Sequence, residues 1–229
     1  ISVNILCILQ LILSLILPLQ FILIRLLKTI LQIAPGEIAG FIPITCATFF
    51  STAPLCFIYG FNFVLLWTIY NDLFHHTSSN NSSLNISKIY LLESFGAGAG
   101  GLVFSLWLIQ LIPVFTLTFT ISVLNLLTTF NFYRRTEPKP NHLINVTLLI
   151  FTLLNLWGIT IGAKYFEKFT STQQWAGLAV VKTQNSAYGN LTLTRAETQY
   201  SLYANGIIYF TTTDEQGAED IVHSTLLQH

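Results

Sequence analysis

Residues 5–24 read ILCILQLILSLILPLQFILI, twenty residues without a single charge. A helix needs about 20 predominantly apolar residues to cross the hydrocarbon core of a bilayer. Arg25 and Lys28 follow this run and close it. We therefore predict a membrane-spanning helix over residues 5–24, with a kink at Pro18 of the kind that membrane helices tolerate.

The composition of the whole chain points the same way. Of the 229 residues, 52% are hydrophobic and 9% are charged, against roughly 25% charged in an ordinary soluble domain. The formal net charge is zero, which argues against the basic footprint of a nucleic-acid-binding protein. The three cysteines all lie in apolar stretches before residue 57, so the sequence predicts neither a disulfide framework nor a cysteine-based metal site.

Four further apolar stretches are long enough to span a membrane, covering residues 38–70, 89–112, 113–132 and 143–163. Pro43, Pro54 and Gly60 interrupt the first of these, which leaves two interpretations open. It is either one kinked span or a span followed by a re-entrant piece. A polar loop over 71–88 and a charged, proline-containing connector over 133–140 separate the others. We predict about five transmembrane helices, within a membrane domain covering residues 1–168.

The pattern changes after Lys168, where short β-branched and aromatic runs alternate with turn residues. Such runs predict strands, here over 178–183, 190–195, 199–204 and 207–213, with a loop over 184–189. Asn205-Gly206 separates the last two runs and predicts a type I′ hairpin turn, since both central residues of that turn need positive φ. Thr213 and Gln216 match a capping box, and apolar residues at helical spacing follow it. The predicted fold class is a mainly α membrane bundle followed by a small antiparallel β-hairpin module and a short helix, residues 169–229.

Glycine-rich residues 96–101 lie inside the third predicted span. They follow no strand and lack the Lys-Ser/Thr ending of a phosphate-binding loop. Gly96 and Gly100 instead have the small-xxx-small spacing that lets two membrane helices pack closely. We therefore interpret them as helix-packing residues.

A few ionisable residues are candidates for chemistry. Glu93 lies about one turn inside the third span, where a carboxylate marks either a functional site or an interfacial contact. His75 and His76 lie in the polar loop, where adjacent histidines are more often solvated than bound to a metal. Glu219 and His223 are i,i+4 neighbours that face either one pocket or solvent. The sequence shows no nucleophile-and-base signature and no paired carboxylates.

The chain from Asn185 onward resembles the N-terminal β-hairpin module of the spermidine synthase (aminopropyltransferase) family, in its polytopic, membrane-fused branch. The residues that carry the resemblance include Asn185 to Leu191, Gln199 to Tyr203, Asn205-Gly206, Glu219 to His223 and Leu226 to His229. In the membrane part, residues 53–60 and 90–101 resemble segments of the helical half of that branch.

The resemblance implies substrate-binding roles for Tyr188, Glu219 and His223. It also implies a following Rossmann-like domain that binds decarboxylated S-adenosylmethionine or a related nucleotide, homo-oligomerisation through the hairpin module, and location in a bacterial inner membrane. The module would serve as a substrate lid that is not catalytic alone. The chain departs from the soluble members at Gly189 and Tyr209, where they carry glutamines, so the reaction stays open.

Two other interpretations remain from the sequence. In the first, the spans themselves carry a transporter or sensor function. In the second, the chain is a passive anchor with a degenerate enzyme-derived tail. A nucleotide-using domain has to be cytoplasmic, which places the hairpin module inside, and Lys164 and Lys168 agree with that. The connector with Arg134 and Arg135 then falls outside, against the positive-inside tendency.

Overall fold

A computed structural model describes residues 2–74, 82–137, 140–186 and 188–212, together with Glu219. The α-helices are α1 (Ser2–Ile30), α2 (Phe41–Phe74), α3 (Ser82–Val103), α4 (Ile109–Leu111), α5 (Val114–Thr136), α6 (His142–Trp157) and α7 (Ala163–Gln174). Two π-helical segments, Phe104–Leu108 and Gly158–Gly162, join α3 to α4 and α6 to α7.

Five helical stretches are long and apolar enough to cross a membrane, as predicted, so the chain is an integral membrane protein. They are Val3–Ile30, Phe41–Asp72, Ile86–Leu111, Val114–Thr136 and His142–Gln174. The alternative left open at residues 38–70 is decided in favour of one helix, with Pro54 inside it. Five crossings put the start of the chain and the β module on opposite faces of the bilayer.

Several helices extend farther than the sequence predicted. The polar loop placed at 71–88 is shorter, because α2 continues to Phe74 and α3 begins at Ser82. The fifth helix continues eleven residues past the predicted end at Ala163, to Gln174. Hydropathy reports only the part of a helix that lies in lipid, whereas backbone hydrogen bonding carries the helix on into the polar layer.

Helix α5 is the centre of the bundle and contacts α1, α6 and α7. Its side chains Phe115, Leu126 and Tyr133 are fully buried. Gly158, in the second π segment, lets the ring of Phe119 approach so closely that an added Cβ would lie 2.6 Å from the ring's Cδ1. The glycine therefore sets the distance between α5 and the last helix.

The β module is a four-stranded antiparallel meander in the order β1 (Ala179–Ser186), β2 (Gly189–Ala196), β3 (Gln199–Ala204) and β4 (Ile207–Thr211). The Asn205-Gly206 turn is confirmed, with φ of 53° and 76°. The prediction of a loop over 184–189 was wrong, because β1 extends to Ser186 and β2 begins at Gly189. Asn190 donates to Asn185 Oδ1 at 2.7 Å across the strand pair, so polar side chains extend the ladder to Ser186.

The predicted short helix after the sheet lies outside the described residues except for Glu219, which is helical. The predicted capping box at Thr213 and Gln216 also lies outside them.

Candidate functional site

An ion pair fixes the last helix against the first at the end of the bundle that carries the sheet. Arg25 Nη1 donates to Glu167 Oε1 at 2.6 Å, and the two side chains are 18% and 38% exposed. The same nitrogen lies 3.3 Å from the hydroxyl of Thr170. The guanidinium also lies over the Phe115 ring, 5.1 Å from its centroid. One arginine thereby ties α1 to α5 and α7.

The hairpin turn of the sheet docks on the loop between α1 and α2. Lys28 Nζ donates to the carbonyl oxygens of Glu37 and Gly206, each at 3.2 Å. Gly36 forms a parallel bridge with Ile207, and its φ of 94° is one that glycine adopts without strain. These contacts hold the Asn205-Gly206 turn against the membrane domain.

An aromatic pair supports the same docking from the other side. Trp175, which ends α7, packs edge-on against Tyr203 of β3 with ring centroids 4.7 Å apart. Both side chains are buried. An added Cβ on Gly36 would lie 3.2 Å from the Tyr203 ring, so the loop backbone also lies directly on this pair. The sheet is a packed extension of the bundle.

A cavity of about 650 Å³ lies at this junction, between α4, α5, α7 and β1. Its polar lining residues are Gln110, Thr116, Lys164, Glu167, Lys168 and Ser171 on the helices and Thr183, Gln184 and Asn185 on β1. Arg25 already pairs with Glu167, which leaves the two lysines as the net charge of the cavity. The formal charge of the described lining is therefore positive.

Of the three predicted substrate-binding residues, the structure describes Tyr188 and Glu219, and neither lines this cavity. Tyr188 lies between β1 and β2 with 97% of its surface exposed. Glu219 is exposed, and His223 lies outside the described residues. The structure therefore does not place Tyr188 on the docked face of the sheet.

The other predicted sites lie elsewhere. Gly96 and Gly100 are exposed, and nothing lies within 4 Å of a Cβ added at either one; no described helix of this chain packs on them. Glu93 lines a second cavity inside the bundle, whereas His75 and His76 lie outside the described residues. Among the described residues, no group of three His, Cys, Asp or Glu side chains could hold a metal ion.

Sequence reasoning missed the role of Arg25 and Lys28, which it treated only as the end of a span. The helix continues through both of them to Ile30, so they project sideways onto α7 and the sheet. The available signal was Glu167, a lone acid between two lysines on a helix with few charges. Comparison with protein-family models, curated proteins and solved structures gives no match to this chain.

Proposed function

We propose that this chain is the membrane domain and substrate-lid module of a spermidine synthase-like integral membrane protein, and that it is not catalytic alone. The observation that carries the proposal is the antiparallel meander β1 to β4 with its Asn205-Gly206 turn. The resembling residues that the structure describes between Asn185 and Gly206 lie in consecutive hairpins. A nucleotide-binding domain following the module would supply the decarboxylated S-adenosylmethionine site.

The exposed side chains at the outer edge of the sheet favour binding of a partner to the module. Ile208, Tyr209 and Phe210 on β4 are 51%, 79% and 59% exposed. Among the described strands β4 has a neighbour in the sheet on one side only, and apolar side chains on an edge strand favour association. The proposed Rossmann-like domain, or a second copy of the module, would cover them.

The direct test is nucleotide binding by protein purified from the complete reading frame in lipid nanodiscs. We expect calorimetric binding of decarboxylated S-adenosylmethionine or S-adenosylmethionine, strengthened by putrescine if the reaction is aminopropyl transfer. Glu219→Gln is expected to remove the putrescine effect and to leave nucleotide binding unchanged. Glu197→Gln, which neutralises an acid in the β2–β3 turn, is the matched control. Failure to bind either nucleotide would leave only the transporter, sensor or anchor interpretations.

We further propose that the module faces the cytoplasm from a bacterial inner membrane. The basic residues near the ends of the spans do not determine which side of the membrane the module faces, because they lie on both sides. Arg25, Lys28, Lys164 and Lys168 lie toward the module, and Lys88, Arg134 and Arg135 lie toward the opposite face. The proposal rests on the nucleotide, which is available only inside the cell.

The orientation can be tested by labelling with a membrane-impermeant maleimide after Cys46 and Cys56 are replaced by serine. Tyr188→Cys is expected to react in inverted vesicles and to be protected in intact spheroplasts. Asp72→Cys, at the far end of α2, should show the opposite pattern. The reverse result for the pair would place the module outside and would remove the cytoplasmic nucleotide from the proposal.

A further inference from the structure

A cavity lies within the described part of the membrane domain. It has a volume of about 1040 Å³, is lined by residues of α1, α2, α3 and α5, and is partly open to its surroundings. Ligand pockets for small molecules usually measure about 300–1,000 Å³. At about 30 Å³ for a group the size of a water molecule, this cavity holds on the order of 30 non-hydrogen atoms. That size accommodates a lipid-like molecule.

Three amides on different helices line this intramembrane cavity at similar depth. Gln10 lies seven residues from the start of the first span, Asn62 ten residues before the end of the second, and Asn125 eleven before the end of the fourth. At 1.5 Å per residue these positions are about 10–16 Å from the helix ends on one face of the bilayer. The rest of the lining is mainly leucine, isoleucine and phenylalanine. The cavity thus combines an apolar body with a polar layer inside the bilayer.

Asn62 supplies the observation that points to a ligand. The residue is 6% exposed, and its Oδ1 atom is buried and has no hydrogen-bond donor among the described residues. A buried acceptor left without a donor costs about 1–3 kcal/mol. Polar groups within membrane helices usually mark a binding site or pathway. A ligand that donates a hydrogen bond to this oxygen would remove the penalty.

The charges at the cavity exclude a polycation. Lys88 and Glu93 both line it, and their charges cancel, so the lining as a whole is neutral. A polyamine would need several carboxylates in these surroundings because a buried cation without a partner is costly. A hydroxyl group donates a hydrogen bond and carries no charge.

We propose that the intramembrane cavity binds a neutral lipid alcohol, whose hydroxyl donates to Asn62 Oδ1 and whose hydrocarbon chains fill the apolar part. Entry is from the lipid, between α2 and α3, because no residue in the most apolar window of the third span is buried. A glyceride and an isoprenoid alcohol share this chemistry. The inference concerns the spans and does not depend on the nucleotide-binding proposal.

The test uses the whole chain in phosphatidylcholine nanodiscs, since that lipid has no hydroxyl donor. The probes are a photoactivatable long-chain alcohol and its methyl ether, which has the same apolar body without the donor. We expect saturable labelling of α2 and α3 peptides by the alcohol, with at least tenfold weaker apparent affinity for the ether. Competition by unlabelled diacylglycerol or by an isoprenoid alcohol would then identify the source, and either competitor supports the proposal.

Asn62→Leu removes the acceptor at nearly constant volume and is expected to lower the affinity for the alcohol to that for the ether. Asn131→Leu, at an exposed position on α5, is the matched control and should bind as the unmodified chain does. Leu66→Trp fills the cavity and should abolish labelling by both probes. Equal labelling by alcohol and ether, unchanged affinity in Asn62→Leu, or the absence of saturable labelling would each overturn the proposal.

Discussion

The third and fourth spans have the same mean hydropathy, 1.4, yet they differ completely in packing. In the most apolar window of each, 44% of residues are buried in the fourth span, Val114–Thr136, and none in the third, Ile86–Leu111. The fourth contacts three other helices, whereas the third packs mainly against α2. Hydropathy therefore decides that a segment spans the membrane and says nothing about what the segment packs against.

The side chains explain this difference. On α5 the hydroxyls of Ser122 and Thr129 donate to the backbone carbonyls of Thr118 and Asn125, at 3.0 Å and 2.7 Å. These hydroxyl groups are hydrogen-bonded within the helix, so burying the two small side chains leaves neither hydroxyl without a partner. The glycines of α3 leave a smooth face that is open in this chain. Without a hydrophobic force between helices in lipid, close packing of small residues decides association.

The largest effect is expected from the paired substitutions Gly158→Leu and Gly96→Leu. Gly158 contacts Phe119, and overpacking of a filled core typically costs about 1–3 kcal/mol and occasionally more, so we expect about 3 kcal/mol. Gly96 faces open space, and its variant should unfold at the temperature of the unmodified chain or above. Thermal unfolding in detergent, followed by circular dichroism, measures both. A large loss at Gly96 would show that a partner covers α3.

Arg25→Leu should give the next largest loss, about 2 kcal/mol, because it leaves Glu167 as a half-buried carboxylate without its partner. Arg135→Leu, at an exposed position near the end of α5, is the control and should change stability by less than about 0.5 kcal/mol. Unfolding by denaturant, with tryptophan fluorescence as the signal, distinguishes the two. Equal losses would mean that charge near the span ends matters more than the ion pair.

Gly206→Ala is expected to destabilise the module by about 1–2 kcal/mol, since its φ of 76° places an added Cβ in a strained position. Gly98→Ala, inside α3 with nothing within 4 Å of the added Cβ, should instead stabilise its helix by up to about 1 kcal/mol. Hydrogen exchange of β3 and β4 amides measures the first effect. Unchanged protection in Gly206→Ala would show that the turn does not hold the hairpin on the loop.

The smallest effect is expected from Tyr188→Ala, below about 0.5 kcal/mol, because the side chain is 97% exposed. The unfolding temperature of the chain in detergent checks this. A loss above about 1 kcal/mol would indicate that a second copy of the module covers Tyr188, and dilution of the protein would then lower the unfolding temperature as well.

The sequence alone is enough to predict five spans, a small antiparallel hairpin module and the Asn205-Gly206 turn, because each depends on local composition and backbone conformation. It could not place Arg25 on Glu167, which lies 142 residues away, since that contact depends on how the helices rotate against one another. The intramembrane cavity was missed for the same reason. Gln10, Asn62 and Asn125 are unremarkable one at a time and meet only in the packed bundle.

The predicted packing role of Gly96 and Gly100 concerns a neighbour that the described structure does not contain, so it stays a prediction. The implied substrate roles of Tyr188, Glu219 and His223 likewise stay predictions. Local sequence identified these surfaces as unusual, but only a bound partner can show what covers them.

The unbroken helix from His142 to Gln174 has a mechanical consequence. Its 33 residues measure about 50 Å at 1.5 Å per residue, against about 30 Å of hydrocarbon and 40–45 Å for the bilayer with its headgroups. The helix is therefore longer than the hydrocarbon core is thick, so part of it has to extend beyond the hydrocarbon. A side chain on that part can contact lipid headgroups while its helix is still held by the bundle.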